Sequence, residues 1–178
     1  MNYEGLPLRT CVGIAVLNSK NKVFVGKRKD SPFDKWQMPQ GGVDPNEPLL
    51  EAMKRELEEE TSIKNFEILK EFDQWLEYKL PENLIGEIWQ GKYSGQKQKW
   101  FIVKFLGEES EININTKYAE FIEWKWIDMN LLPDLIVHFK KHVYQEYLVL
   151  KQKHFERLLL KSEKFQEKNL LKKLLSLY

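Results

Sequence analysis

A single cysteine, Cys11, stands among 178 residues, so no disulfide can form within the chain. It lies in the apolar run CVGIAVL and reads as an inert core residue. The scarcity of thiols fits a reducing, cytoplasmic compartment. Net charge is nearly absent as well: 28 Lys and Arg against 27 Asp and Glu leave +1. That argues against a protein that coats nucleic acid by bulk charge, while leaving room for a local basic patch. The opening MNYEGLPLRT has no basic stretch followed by an apolar one, so no signal peptide is expected. No apolar run nears the roughly 20 residues of a membrane-spanning helix. Neither a repeat nor a low-complexity linker divides the chain.

What is present is a soluble, globular composition, 31% charged and 42% hydrophobic, in a chain long enough for one well-cored domain. Residues 11–18 and 22–28 read as two strands around the turn NSKN, hence a hairpin. WQMP is a short extended piece leading into QGG. Pro48 suits the first turn of a helix in which Leu50, Met53 and Leu57 recur at helical spacing. FEILKEFDQWLEYKL, residues 99–106 and residues 121–128 supply further strands. In the last of these, Ile122, Trp124 and Trp126 alternate with Phe121, Glu123 and Lys125. After Pro133 the chain reads as helical to its end, with Leu135, Ile136, Phe139, Val143, Tyr147 and Leu150 in one stripe. The expected fold is α/β (α+β), a mixed sheet between helices with a long C-terminal helix. Residues 1–155 form the main domain and 156–178 its helical extension.

The segment ELEEE places Glu56, Glu58, Glu59 and Glu60 within five positions. On a helix, Glu56, Glu59 and Glu60 share a sector about 100° wide beside the core face. Like charges four apart cost a few tenths of a kcal/mol per pair. Arg55 is too far around the helix to neutralise all three. A hard divalent cation would offset the repulsion, since Mg²⁺ prefers carboxylate oxygens and water. The plainer alternative is a solvated acidic face. Favouring the ion is the Gly41-Gly42 turn just ahead, which could bring backbone close to a ligand.

The spacing G-x5-E-x7-R-E-U-x-E-E-x-G-U, with U aliphatic, is met by Gly41, Glu47, Arg55, Glu56, Leu57, Glu59, Glu60 and Ile63. This resembles the Nudix box, the loop–helix–loop of hydrolases that cleave nucleoside diphosphates linked to another moiety. Ser62 departs from the pattern where glycine ends the helix, at a cost of about 1 kcal/mol if the residue is left-handed. The resemblance implies that Glu56, Glu59 and Glu60 bind Mg²⁺ or another divalent cation such as Mn²⁺, that the Gly41 carbonyl can add a ligand, and that Glu47 and Arg55 brace the loop and helix.

WQMPQGG, YKLP, GQKQKWF, EFIEWKW and FKKHVY narrow the resemblance to one branch, the bacterial RNA pyrophosphohydrolases and related diadenosine polyphosphate hydrolases. It runs from about Arg9 to Tyr147. It implies that Glu120 joins the metal centre as ligand or base. It also implies that Arg28 and Phe139 sandwich a nucleobase with Val137 and Lys140 beside them, and that Arg9, Lys97 and Lys99 face the phosphates. Arginine grips phosphate bidentately and stacks on bases. Each residue has a plainer reading: Phe139 as part of an apolar stripe, Lys97 and Lys99 as a solvated face, Glu120 as a loop carboxylate. Trp100, Trp124 and Trp126 read as core. His138 and His142, four apart without a third ligand nearby, read as surface.

The expected activity is hydrolysis of the 5′-triphosphate or diphosphate of mRNA to a monophosphate, which triggers decay. The alternatives are a diadenosine polyphosphate hydrolase and a Nudix module that binds nucleotide without cleaving it. Neither DNA nor a membrane is expected as a partner. The Lys- and Leu-rich tail from Leu158 to Tyr178 could extend the C-terminal helix, bind a partner or touch RNA phosphates; the plainest expectation is a helix folded back on its own domain.

Overall fold

The computed structural model describes the backbone of residues 5–30 and 35–175 and the side chains of 5–30 and 35–158. In chain order the elements are β1 (Leu8–Leu17), β2 (Val23–Arg28), β3 (Trp36–Gln37), β4 (Gln40–Gly42), α1 (Leu49–Thr61), β5 (Phe66–Lys79), β6 (Gly95–Phe105), β7 (Phe121–Ile127), a short α2 (Leu132–Leu135) and α3 (Lys141–Leu175). The hairpin expected between β1 and β2 is present. The Asn18 carboxamide accepts the N–H groups of Lys20 and Lys22, both at 3.0 Å, and Asn21 takes the left-handed conformation its side chain tolerates.

The strands form one mixed sheet of order β3-β2-β1-β6-β5, with β4 also on β1 and β7 also on β2. β1 and β6 run parallel over ten paired residues, and the other pairings are antiparallel. Alternation along β1 divides the core. Val12, Ile14 and Val16 meet Met53 and Leu57 of α1 on one face. Ala15 and Leu17 join Trp100, Val143, Tyr144 and Tyr147 under α3 on the other. The sheet is thus sandwiched between helices. Gly13 carries no side chain because the Trp100 indole fills its place: a Cβ there would lie 2.5 Å from the ring.

Four local expectations are corrected. Leu50 points outward at 38% exposure, and Leu49, Ala52, Met53 and Leu57 face inward instead. This turns the inner stripe of α1 far enough to carry Glu60 into the interior, 1% exposed. In β7 the register slips between Lys27 and Arg28, so Ile122 is the extra residue of a bulge. Ile122 is 61% exposed, and Phe121 joins Trp124 and Trp126 around Phe24. The helix expected after Pro133 is interrupted at Ile136 and Val137, whose backbones are extended. Packing wins there, since the break lets Ile136 stay buried beside Val143. Finally, α3 continues unbroken to Leu175, so the tail prolongs the helix rather than folding back. The apolar face read from Leu170, Leu171, Leu174, Leu175 and Leu177 lies outside the described side chains, as do residues 31–34 of the loop after β2.

Among the described residues no helix is long and apolar enough to cross a membrane. Cys11 is fully buried, and burial pushes its thiol up to about 12, as an inert core cysteine requires. Gly13→Ala is expected to lower stability by about 1–3 kcal/mol, the usual cost of overpacking a filled core. Urea denaturation of the two proteins measures it, and an unchanged midpoint would show that Trp100 can move aside.

Candidate active site

β4 brings the Gly-Gly turn against β1, with Gly41 paired to Val12 and Gly42 to Cys11. A Cβ on Gly41 would lie 1.9 Å from the Glu56 carboxylate, so glycine is what lets that carboxylate rest against the strand. A Cβ on Gly42 would lie 2.1 Å from the Arg9 guanidinium on the opposite face. The two glycines therefore serve two different side chains.

α1 delivers the carboxylates. Glu60 Oε2 accepts the Gln40 N–H at 3.1 Å, while Oε1 is buried and has no hydrogen-bond partner. Burial, reinforced by Glu120 and Glu56 nearby, raises the Glu60 carboxyl well above the ordinary range. Burial also raises Glu56, against the pull of Arg55. Arg55 binds Glu47 through two nitrogens at 2.8 Å, the Gly42 carbonyl at 2.8 Å, Glu56 at 2.8 Å and Glu59 at 3.3 Å. It reaches two of the three clustered carboxylates, and Glu60 is the one beyond it. Its hydrogen bonds hold the Glu47 carboxyl down to about 2. The helix ends on Ser62 with φ 61°, the left-handed position where the pattern has glycine. The Ser62 hydroxyl donates to the Asn113 carbonyl at 3.0 Å, a contact that glycine could not make.

Glu120 arrives from the loop before β7. Its Oε2 accepts from Arg28 Nη1 at 2.7 Å, and Arg28 also clasps Asp30 through two nitrogens. Arg28, Asp30, Glu56, Glu59, Glu60 and Glu120 line one cavity of about 370 Å³. Among the described residues no three carboxylate, histidine or cysteine side chains stand close enough together to hold an ion between them. The arginines are the physical reason: Arg55 draws Glu56 and Glu59 aside, and Arg28 draws Glu120. The donors nonetheless suit a hard cation. They are oxygens, one is a buried oxygen without a partner, and two carboxyls are pushed toward the proton that an ion would replace.

The remaining predicted residues divide by face. Arg9 lies against the Trp89 ring, 5.8 Å from its centroid, on the α3 side. Lys140 is buried over Tyr78, and burial, with Arg28 adding to it, lowers its ammonium to about 8. Phe139 packs on Tyr78 with centroids 5.7 Å apart, so its apolar contacts are real, and its ring is only half-buried. Val137 is half-buried beside it. Lys97 and Lys99 are elsewhere. Cross-strand register puts Gly41, Val12, Lys99 and Trp75 in one row on the Glu56 side. Strands about 4.8 Å apart set Lys99 roughly 10 Å from Gly41. Lys99 donates to the Asp73 carbonyl at 2.8 Å, and both lysines lie over Trp75. His138 and His142 are exposed, as expected.

Sequence reasoning passed over Tyr144, whose hydroxyl accepts the Met38 N–H at 2.9 Å and so anchors the strand that presents Gln40 to Glu60. No local pattern signals a contact 106 residues apart. Asp30 was legible in principle, two residues from the arginine it holds.

A box-bearing helix over a mixed sheet, with its carboxylates gathered at a glycine turn, defines a class. The NUDIX domain family model matches residues 7–147, and the chain belongs to that family. An RNA pyrophosphohydrolase of Pelagibacter ubique is 61% identical over 145 residues, 82% of this chain and 92% of its own length. Another RNA pyrophosphohydrolase, of a Bradyrhizobium species, is 50% identical over 153 residues, 80% and 91% of the two chains. Among solved structures, the E. coli dihydroneopterin triphosphate pyrophosphohydrolase superposes with TM-score 0.62 at 18% identity, over 80% of this chain and 98% of that one. A C. elegans Ap4A hydrolase gives 0.56 at 15% identity, over 80% and 98%. These two share the fold.

Two outcomes are expected. Unfolded, Glu56 and Glu60 titrate near 4.5, and folded they keep their protons to higher pH. The metal-free protein should therefore lose stability as pH rises above 4.5 and through the raised folded-state values of these two carboxyls. Glu60→Gln should flatten that slope in urea titrations; an equal slope in the variant would place its cause elsewhere. Gly41→Ala should leave the unfolding midpoint nearly unchanged, because it meets only the far end of Glu56, yet lower Mn²⁺ affinity about 10–100-fold as that carboxylate is displaced. Calorimetric titration with Mn²⁺ reads this directly.

Proposed function

We propose that the chain is an RNA pyrophosphohydrolase, converting a 5′-triphosphate or 5′-diphosphate end of mRNA to a 5′-monophosphate in the cytoplasm and so opening it to decay. The observation that carries the reading is the unpartnered, buried Glu60 oxygen in a cavity shared with Glu56, Glu59 and Glu120, with Arg28 on its wall. The chain covers nearly the whole length of the two RNA pyrophosphohydrolases it resembles, which favours RNA as substrate.

In this reading Glu56, Glu59, Glu60 and Glu120, with the Gly41 carbonyl, hold divalent cations, Mg²⁺ or Mn²⁺. Bound there, such ions neutralise bridging phosphates and lower the pKa of a water. Arg55 and Glu47 fix the loop and the helix, so the carboxylates keep their spacing. Arg28 serves on two sides: it holds Glu120 in place and presents a guanidinium to the substrate. Arg9 and Lys140 supply positive charge on the α3 side, Lys97 and Lys99 on the α1 side. Phe139, packed on Tyr78, offers a half-exposed ring to a base, with Val137 beside it. Water adds to a phosphorus, one P–O–P bond breaks, and the water proton passes to a carboxylate of the set. RNA leaves with a 5′-monophosphate, and pyrophosphate or successive phosphates depart.

The test is kcat/KM on a short 5′-triphosphorylated RNA against diadenosine tetraphosphate, side by side with Mg²⁺. A preference for RNA is expected; a preference for the dinucleotide would replace the substrate and leave the metal site as argued. Glu59→Gln should lower kcat on RNA by about 10²-fold or more, and unchanged turnover would instead indicate a module that binds without cleaving.

A further inference from the structure

Of the residues lining the carboxylate cavity, two carry no charge, Ala119 and Tyr118, and only the second has a side chain large enough to meet a ligand. Tyr118 sits in the loop between β6 and β7, 55% exposed, on the rim of the 370 Å³ cavity. It also borders a larger groove of about 930 Å³ along the outer side of α1, and with Glu59 and Lys117 it lines both. Among the described residues the only partner recorded for that ring is a cation, the Lys117 ammonium 5.2 Å from its centroid. A scattered exposed tyrosine is ordinary on a protein surface. This one differs in being held.

Its loop is tied to the C-terminal end of the carboxylate helix. The Thr116 hydroxyl donates to the Glu59 carbonyl and accepts the Tyr118 N–H at 3.2 Å. Asn113 N–H donates to the Thr61 carbonyl at 2.9 Å, and Ser62 returns a bond to Asn113. The backbone of Glu59 and the backbone of Tyr118 are thus bridged by one hydroxyl. Fixing the loop backbone that carries the ring lowers the ordering cost of binding a flat partner, and the adjacent ammonium suits a partner that carries phosphate.

The geometry points to Lys117 and Tyr118 as a nucleobase subsite: Tyr118 stacks on a base of the polyphosphorylated substrate at the mouth of the carboxylate cavity, and Lys117 meets its phosphate. This deepens the RNA reading and rests on it. It is separate from Phe139, which packs on Tyr78 and does not line this cavity.

The test is steady-state kinetics on a 5′-triphosphorylated trinucleotide. Tyr118→Ala should raise KM about tenfold, equivalent to about 1.4 kcal/mol, with kcat within about twofold. Tyr118→Phe should match the wild type, because stacking uses the ring face and not the hydroxyl. The same RNA with abasic first and second nucleotides separates stacking from loop structure: wild type and Tyr118→Ala should then have equal KM. An unchanged KM for Tyr118→Ala on the normal RNA, or a tenfold gap that persists on the abasic one, would overturn the subsite. If the wild type cleaves only diadenosine tetraphosphate, the RNA reading fails. The Tyr118 comparison then moves to that dinucleotide, with inorganic tripolyphosphate as the substrate lacking a base, and is decided by the same two criteria.

Discussion

Crowding like charges in one small cavity is the constraint around which this protein is arranged. Five carboxylates line the cavity, Asp30, Glu56, Glu59, Glu60 and Glu120, and Glu60 among them is buried. Each would be costly alone in the interior, and together they repel. The fold offsets this with two arginines of separate origin, Arg55 from the same helix and Arg28 from the end of β2. It adds one backbone donor, Gln40 N–H, that only a strand edge could place. Removing the arginines would leave charge uncompensated. Pairing every carboxylate with an arginine would leave none for a cation.

The supporting parts follow from that balance. Glu60 meets Gln40 because α1 is rolled inward on Ala52, Met53 and Leu57. Gln40 is where it is because Tyr144 of α3 holds Met38 and because Gly13, bare beside Trp100, lets the sheet close over a large ring. The helix on one face and the helix on the other therefore meet at a single short strand. Gly41 and Gly42 finish the site by absence, one admitting Glu56 and the other Arg9. The cost of this arrangement is that the buried carboxyls favour their protonated forms when nothing positive lies between them.

Charged groups beyond the carboxylates are sorted by the pleat of the sheet. Arg9 and Lys140 lie on the α3 side, whereas Lys97 and Lys99 lie on the α1 side, over Trp75. Arg28, at the end of its strand, lines the cavity with the α1 carboxylates and bonds to Glu120 and Asp30. In a chain of net charge +1, positive groups are thus placed locally around an acidic cavity.

Much of this was legible beforehand, because the information was local. The spacing from Gly41 to Ile63 determines which carboxylates share a helix sector, and periodicity alone located the hairpin, α1 and the main strands. The left-handed end at Ser62 could be read from one departure in a pattern. Other features depended on partners distant in the chain. Which leucine of α1 turns inward was decided by the strands beneath it. The bulge that exposes Ile122 was decided by β2, the break at Ile136 by packing against α3. The hold of Tyr144 on Met38 and of Thr116 on Glu59 joins residues that no window of sequence contains. Sequence by itself determined the chemistry available, since residue type and helical spacing are properties of short segments. Tertiary structure alone decided which oxygen is left without a partner, which arginine restrains which carboxylate and which aromatic ring stands at the mouth of the cavity, because burial and distance are set only when separate segments pack.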